Sequence, residues 1–152
     1  MRLIPYALSD VGRKRQHNED SYLVAPHISL FAVADGMGGH RAGEKASRMA
    51  VEKLRDSLVP PRRMAGKDEV LSHLQKAMFI TGAAIFDAAQ SDPDLAGMGT
   101  TLTSVLVHSQ RAYVAHVGDS RCYLYRDGKI SQITTDHSWV AEQVKAGLLT
   151  EQ

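Results

Sequence analysis

The chain has 152 residues, of which 43% are hydrophobic and 23% charged, and its formal net charge is +1. This composition is typical of one globular domain spanning 1–152, and a charge so near zero gives no reason to expect a nucleic-acid or membrane partner. No apolar run approaches the ~18 residues of a transmembrane helix, and the single cysteine, Cys122, cannot form an internal disulfide, which fits the cytoplasm.

The first half of the chain is predicted to contain short strands followed by two helices. Residues 3–8 form the first candidate strand, and the apolar runs 21–25 and 29–34 predict a β-hairpin. In 42–58 and again in 68–89, apolar side chains recur every three or four residues. This spacing predicts two amphipathic helices, each with one buried stripe.

The second half returns to the spacing of strands. Asp127 and Gly128 form a two-residue hairpin signal, and a last helix is predicted over 138–149. Strands linked by hairpins favour antiparallel pairing over a doubly wound parallel sheet. The predicted strands are 101–107, 112–117, 121–125 and 130–134.

Asp35 stands where an apolar run ends and a glycine-rich turn begins, with Gly36, Gly38 and Gly39. A carboxylate beside backbone that a ligand can approach suits a hard metal ion or a phosphate. A dinucleotide-binding turn is an alternative, but Asp35 would repel a pyrophosphate. The acidic residue expected ~20 residues further on would be Asp56, inside the predicted helix. A tight strand-to-helix turn with no ligand is the other alternative.

Three further segments carry polar groups of interest. Arg15 precedes the acidic pair Glu19 and Asp20, which suits phosphate and cation binding, although charge runs are usually solvated loops. Asp119 follows a glycine at a second strand end, where it serves either a ligand or the backbone of a turn. Residues 98–107 read as a buried strand whose threonines pack in the core.

Together, four segments resemble the metal-dependent protein phosphatase family, the type 2C serine/threonine phosphatases, in their bacterial form. The resemblance covers essentially the whole chain, in the family's order and spacing. It implies an α+β fold, a four-layer sandwich of two antiparallel β-sheets flanked by antiparallel helix pairs, with the metals between the sheets at one edge. The segments are SDVGRKRQHNEDS (9–21), FAVADGMGGHRAGEKAS (31–47), GMGTTLTSVLV (97–107) and HVGDSRCYLYRDGKISQITTDHS (116–138).

The resemblance also implies a metal centre. Asp35 matches the aspartate that bridges two catalytic ions, and Gly36 matches the residue whose backbone carbonyl binds one of them. Glu19 and Asp20 match the acidic pair that supports the ions, largely through water, and Asp119 matches a ligand of the third site of bacterial members. Oxygen ligands of this kind suit Mg²⁺ or Mn²⁺.

The implied activity is hydrolysis of phosphoserine and phosphothreonine in proteins by a metal-activated water. Arg15 matches the residue that grips the substrate phosphate, and His40 is a candidate proton donor to the leaving oxygen. The implied partner is a phosphorylated protein, for example a serine/threonine kinase or its target.

The C-terminal end departs from the family pattern. The family places two more metal-binding aspartates downstream, whereas the acidic residues after His137 are Glu142 and Glu151. We therefore expect the N-terminal two-thirds of a catalytic domain, with the C-terminal strands missing and weak or no turnover. The alternative is a non-catalytic module of the same fold that binds phosphoproteins or a second chain.

Overall fold

The computed structural model describes residues 1–38, 41–58 and 66–137. Short 3₁₀ turns at Pro26–Ile28 and Pro93–Leu95 connect longer elements. In chain order the strands and helices are β1 Asp20–Ala25, β2 Leu30–Met37, α1 Arg41–Ser57, α2 Lys67–Ser91, β3 Gly99–Thr100, β4 Leu102–His108, β5 Arg111–Val117, β6 Tyr123–Arg126 and β7 Lys129–Gln132.

The strands form two antiparallel sheets. The larger has the order β1-β2-β4-β5, with β3 extending the ladder at the end of β2, and β6 and β7 form the second as a hairpin. The α+β class and the antiparallel pairing are therefore confirmed. The register of β1 and β2 places Asp20 directly opposite Asp35, so two acidic residues distant in sequence meet at one sheet edge.

The two helices cover one face of the larger sheet. Alternation along β2 buries Leu30, Ala32 and Ala34 on that face, as its period of two requires. On α1, small side chains spaced four residues apart, Ala46 and Ala50, are fully buried. Because these side chains are short, the helix packs close to the strands. Both predicted helices are confirmed, and within the described residues they form one of the expected helix pairs.

The predicted strand over residues 3–8 is wrong. These residues belong to no strand, because Pro5 has no backbone N–H to donate and little apolar surface is buried there. Tyr6 is 91% exposed and Leu8 93%. The segment borders a cavity of about 550 Å³ on the sheet face opposite the helices. The helix predicted over 138–149 lies outside the described residues, within which neither helix is long and apolar enough to cross a membrane.

The buried stripe of α2 yields a test of the core. Leu74 is 2% exposed and Leu71, on the same helix, 41%. We expect Leu74→Ala to lower the free energy of unfolding by about 2–5 kcal/mol because it leaves a cavity. Leu71→Ala, the matched control, should change it by less than about 0.5 kcal/mol. Urea unfolding followed by circular dichroism measures both, and equal losses would contradict the assigned helix face.

Candidate metal centre

Backbone hydrogen bonds hold the end of β2 in place. The N–H of Gly36 donates to the Glu19 carbonyl at 3.1 Å, and the N–H of Thr101 donates to the Asp35 carbonyl at 2.9 Å. Asp35 thus pairs with Asp20 of β1 on one side and binds Thr101, the residue between β3 and β4, on the other. The polypeptide at this corner is therefore fixed before any ligand binds.

Burial and neighbouring acidic side chains affect the pKa of the Asp35 carboxyl. Its pKa is raised above the ordinary value of 3.8, first by partial burial, then by the charge of Asp20 and a hydrogen bond between the two side chains. Asp119 adds a smaller effect in the same direction, and the Arg15 guanidinium opposes it. The structure therefore brings Asp20, Arg15 and Asp119 within electrostatic reach of Asp35. A divalent cation bound between these carboxylates would neutralise their repulsion.

Glu19 contributes a carboxylate oxygen with no bonding partner. Among the described residues, its Oε1 is buried and accepts no hydrogen bond. The carboxylate packs against the first turn of α1, where a Cβ on Gly43 would come within 2.6 Å of Oε1. A buried, unsatisfied carboxylate oxygen is costly, and a cation or a water held by one would satisfy it. The donor set therefore fits a hard metal ion.

The described carboxylates do not by themselves complete a metal site. Within residues 1–38, 41–58 and 66–137, no group of three or more His, Cys, Asp or Glu side chains is arranged to hold a metal ion. The turn that carries Asp119 lies after β5, and Arg15 lies in the exposed loop before β1. His40, the candidate proton donor, lies outside the described residues.

Thr101 has a role that the sequence did not reveal. The threonines of 98–107 were expected to pack in the core, but the Thr101 hydroxyl accepts a hydrogen bond from the Asp35 N–H at 2.9 Å. Its Oγ1 also lies 2.7 Å from Oγ of Ser120. Since 66 residues separate Thr101 from Asp35, no local sequence signal could have found the contact.

The antiparallel sheet rules out the alternative that the glycine turn binds a dinucleotide. That fold needs a parallel sheet with a crossover helix behind the glycine turn, whereas β2 pairs antiparallel with β1, β3 and β4. The glycine turn after Asp35 is therefore part of a different kind of site.

Comparison with known proteins identifies relatives along nearly the whole chain. The family profile of protein phosphatase 2C matches residues 8–143. The chain is 40% identical over 147 residues to the serine/threonine phosphatase stp of Listeria innocua, covering 95% of the chain and 58% of that relative. It is 43% identical over 146 residues to the serine/threonine protein phosphatase PstP of Mycobacterium tuberculosis, covering 96% and 27%.

Solved structures show the same similarity. A crystal structure of the Mycobacterium tuberculosis serine/threonine phosphatase PstP/Ppp matches with a TM-score of 0.82 and 42% identity, covering 94% of this chain and 58% of that one. The PstP catalytic domain in complex with two manganese ions matches with a TM-score of 0.80 and 41% identity, covering 94% and 60%. The chain thus spans about 58% of the Listeria relative and of the first of these structures.

Proposed function

This chain belongs to the protein phosphatase 2C family, and from that premise we propose that it supplies the metal- and phosphate-binding part of a protein phosphatase. The substrates would be phosphoserine and phosphothreonine in proteins, for example in a serine/threonine kinase or its target. One observation carries the proposal: Asp35 lies opposite Asp20, within electrostatic reach of Arg15 and Asp119, and burial and the neighbouring carboxylates raise its pKa.

The chain's own oxygens would hold the cations. Asp35 would bridge two ions, the Gly36 carbonyl would bind one of them, and Asp20 and Glu19 would support them, with Asp119 at a third site. When bound, Mg²⁺ or Mn²⁺ would supply an activated water and offset the negative charge of the reacting phosphate. A manganese complex of a relative 41% identical supports this choice of ions.

Arg15 would bind and orient the phosphate. A guanidinium recognises phosphate oxygens through two parallel hydrogen bonds, and the charge of Arg15 acts on Asp35, so substrate and cations would share one site. His40 would hold the proton for the leaving oxygen. A single cysteine fits a cytoplasmic setting.

Replacing Arg15 tests the phosphate role. We expect Arg15→Ala to raise KM for a phosphothreonine peptide, or its Kd where turnover is too slow, by about 10- to 100-fold, as for a lost charge-assisted hydrogen bond. Mn²⁺ affinity should stay within about threefold. Arg13→Ala, in the same exposed loop, is the matched control. Equal effects of the two substitutions would contradict a specific role for Arg15.

The function as a whole is tested on the 152-residue chain with added Mn²⁺. We expect the chain to bind Mn²⁺ reversibly, to lose it to EDTA, and to hydrolyse a phosphothreonine peptide slowly. Calorimetric titration measures the binding, and phosphate release measures turnover. A chain that binds no Mn²⁺ would contradict the proposal.

The second candidate function is a non-catalytic phosphoprotein-binding module. It is favoured by the lack of a three-ligand metal group among the described residues. The phosphate-release assay separates the two functions, since a module would bind the phosphopeptide without releasing phosphate at any Mn²⁺ concentration.

A further inference from the structure

We propose that Thr101 is a positioning residue that holds the Asp35 strand end and the Asp119 turn at a fixed separation. The inference rests on the proposed function, because its purpose would be to set the distance between two metal-binding segments. It concerns a side chain to which the sequence assigned only core packing.

The hydroxyl of Thr101 connects the two segments directly. Its Oγ1 accepts the Asp35 N–H at 2.9 Å and lies 2.7 Å from the hydroxyl of Ser120, the residue after Asp119. The backbone N–H of Thr101 donates to the Asp35 carbonyl at 2.9 Å. The N–H and the carbonyl of Asp35 therefore both bind Thr101, which also binds the Asp119 turn through Ser120.

The methyl group of Thr101 contacts the other side of the same turn. A Cβ built on Gly118 would come within 2.7 Å of the Thr101 Cγ2, so the methyl group packs against Gly118. That glycine has a φ of +102°, a conformation that other residues rarely adopt. Asp119 thus lies between two residues that both contact Thr101.

This arrangement differs from ordinary core packing because each polar contact ends on a segment that carries a candidate ligand. Removing the hydroxyl would leave the Asp35 N–H without its acceptor and free the Ser120 side chain. Loss of a group that orients metal ligands typically weakens metal binding by about 10- to 100-fold. We expect Thr101→Val, which keeps the shape of the side chain, to weaken Mn²⁺ binding by at least about tenfold.

The experiment compares four variants of the 152-residue chain by Mn²⁺ titration. Thr101→Ser keeps the hydroxyl and should bind Mn²⁺ within about threefold of the unmodified chain, well inside the loss expected on removing the hydroxyl. Thr81→Val is the matched control, because its buried hydroxyl donates to the Ala77 carbonyl within α2 and bonds to neither segment. If Thr101→Val does not fold, Ser120→Ala removes the partner hydroxyl and should weaken binding in the same direction.

A second measurement is independent of metal. Amide hydrogen exchange in EDTA should be at least about tenfold faster at Asp35 in Thr101→Val, because the N–H has lost its acceptor, and near normal in Thr101→Ser. If the unmodified chain binds no Mn²⁺, the proposed function fails while exchange at Asp35 still decides the role of Thr101. Unchanged exchange and Mn²⁺ affinity in Thr101→Val, no recovery in Thr101→Ser, or an equal loss in Thr81→Val would each overturn the inference.

Discussion

Asp35→Asn is expected to abolish metal-dependent phosphate release and to weaken Mn²⁺ binding by more than the about 10- to 100-fold typical of a supporting residue. The reason is that the amide is neutral and a poorer ligand for a hard cation, so the site would lose the carboxylate proposed to join its two ions. Calorimetric titration with Mn²⁺ and a phosphate-release assay measure the two losses. Asp87→Asn on the exposed face of α2 is the matched control.

In the metal-free protein, Asp35→Asn should increase stability. Folding raises the Asp35 pKa above 3.8, so the native state binds more protons than the unfolded state. As the pH rises from the ordinary pKa of this carboxyl to its raised pKa in the folded state, the free energy of unfolding therefore falls. In EDTA at neutral pH, Asp35→Asn should therefore melt at a higher temperature than the unmodified chain. The difference should disappear below pH 3.8, and Mn²⁺ should stabilise only the unmodified chain.

Two outcomes of these melting experiments would contradict the assignment. One is an Asp35→Asn variant that Mn²⁺ stabilises as much as it does the unmodified chain. The other is a metal-free variant that is less stable at neutral pH, since that would mean Asp35 is held by favourable contacts and experiences no net repulsion.

Gly36→Ala is expected to lower the free energy of unfolding by at least about 3 kcal/mol, the upper end of typical overpacking costs. A methyl group at this position would overlap the Gly43 carbonyl oxygen and approach the Glu19 carbonyl within 2.8 Å. Both are backbone atoms, so no side-chain rotation relieves the clash and α1 must move away from β2. Mn²⁺ affinity should fall together with the stability, because the added methyl group would also displace the Glu19 backbone.

The matched control is the same substitution on α2. A methyl group on Gly82 would meet no atom within 4 Å, and alanine favours a helix over glycine by about 0.8–1.0 kcal/mol, so Gly82→Ala should be neutral or stabilising. Urea unfolding measures both variants. A Gly36→Ala protein with normal stability would show that α1 and β2 do not pack as closely as described.

Much of the fold followed from periodicity. The spacing of Ala46, Ala50 and Leu54 predicted α1, and the run to Asp35 predicted β2, because each pattern reflects which face of one element is buried. The strand predicted over 3–8 failed because an apolar run with a proline does not show whether a partner strand lies beside it. The roles assigned to the site residues stay predictions until the substitutions above are measured.

The sequence by itself determined most of the elements and placed Asp35 near the end of a strand that runs to Met37, because these properties depend on neighbouring residues. Only the tertiary structure decided that Asp20 lies opposite Asp35 and that Thr101 binds its backbone from 66 residues away. It also decided that one oxygen of Glu19 is buried without a partner. The physical reason is that strand register and helix packing bring distant residues together, and no local pattern encodes the distances that result.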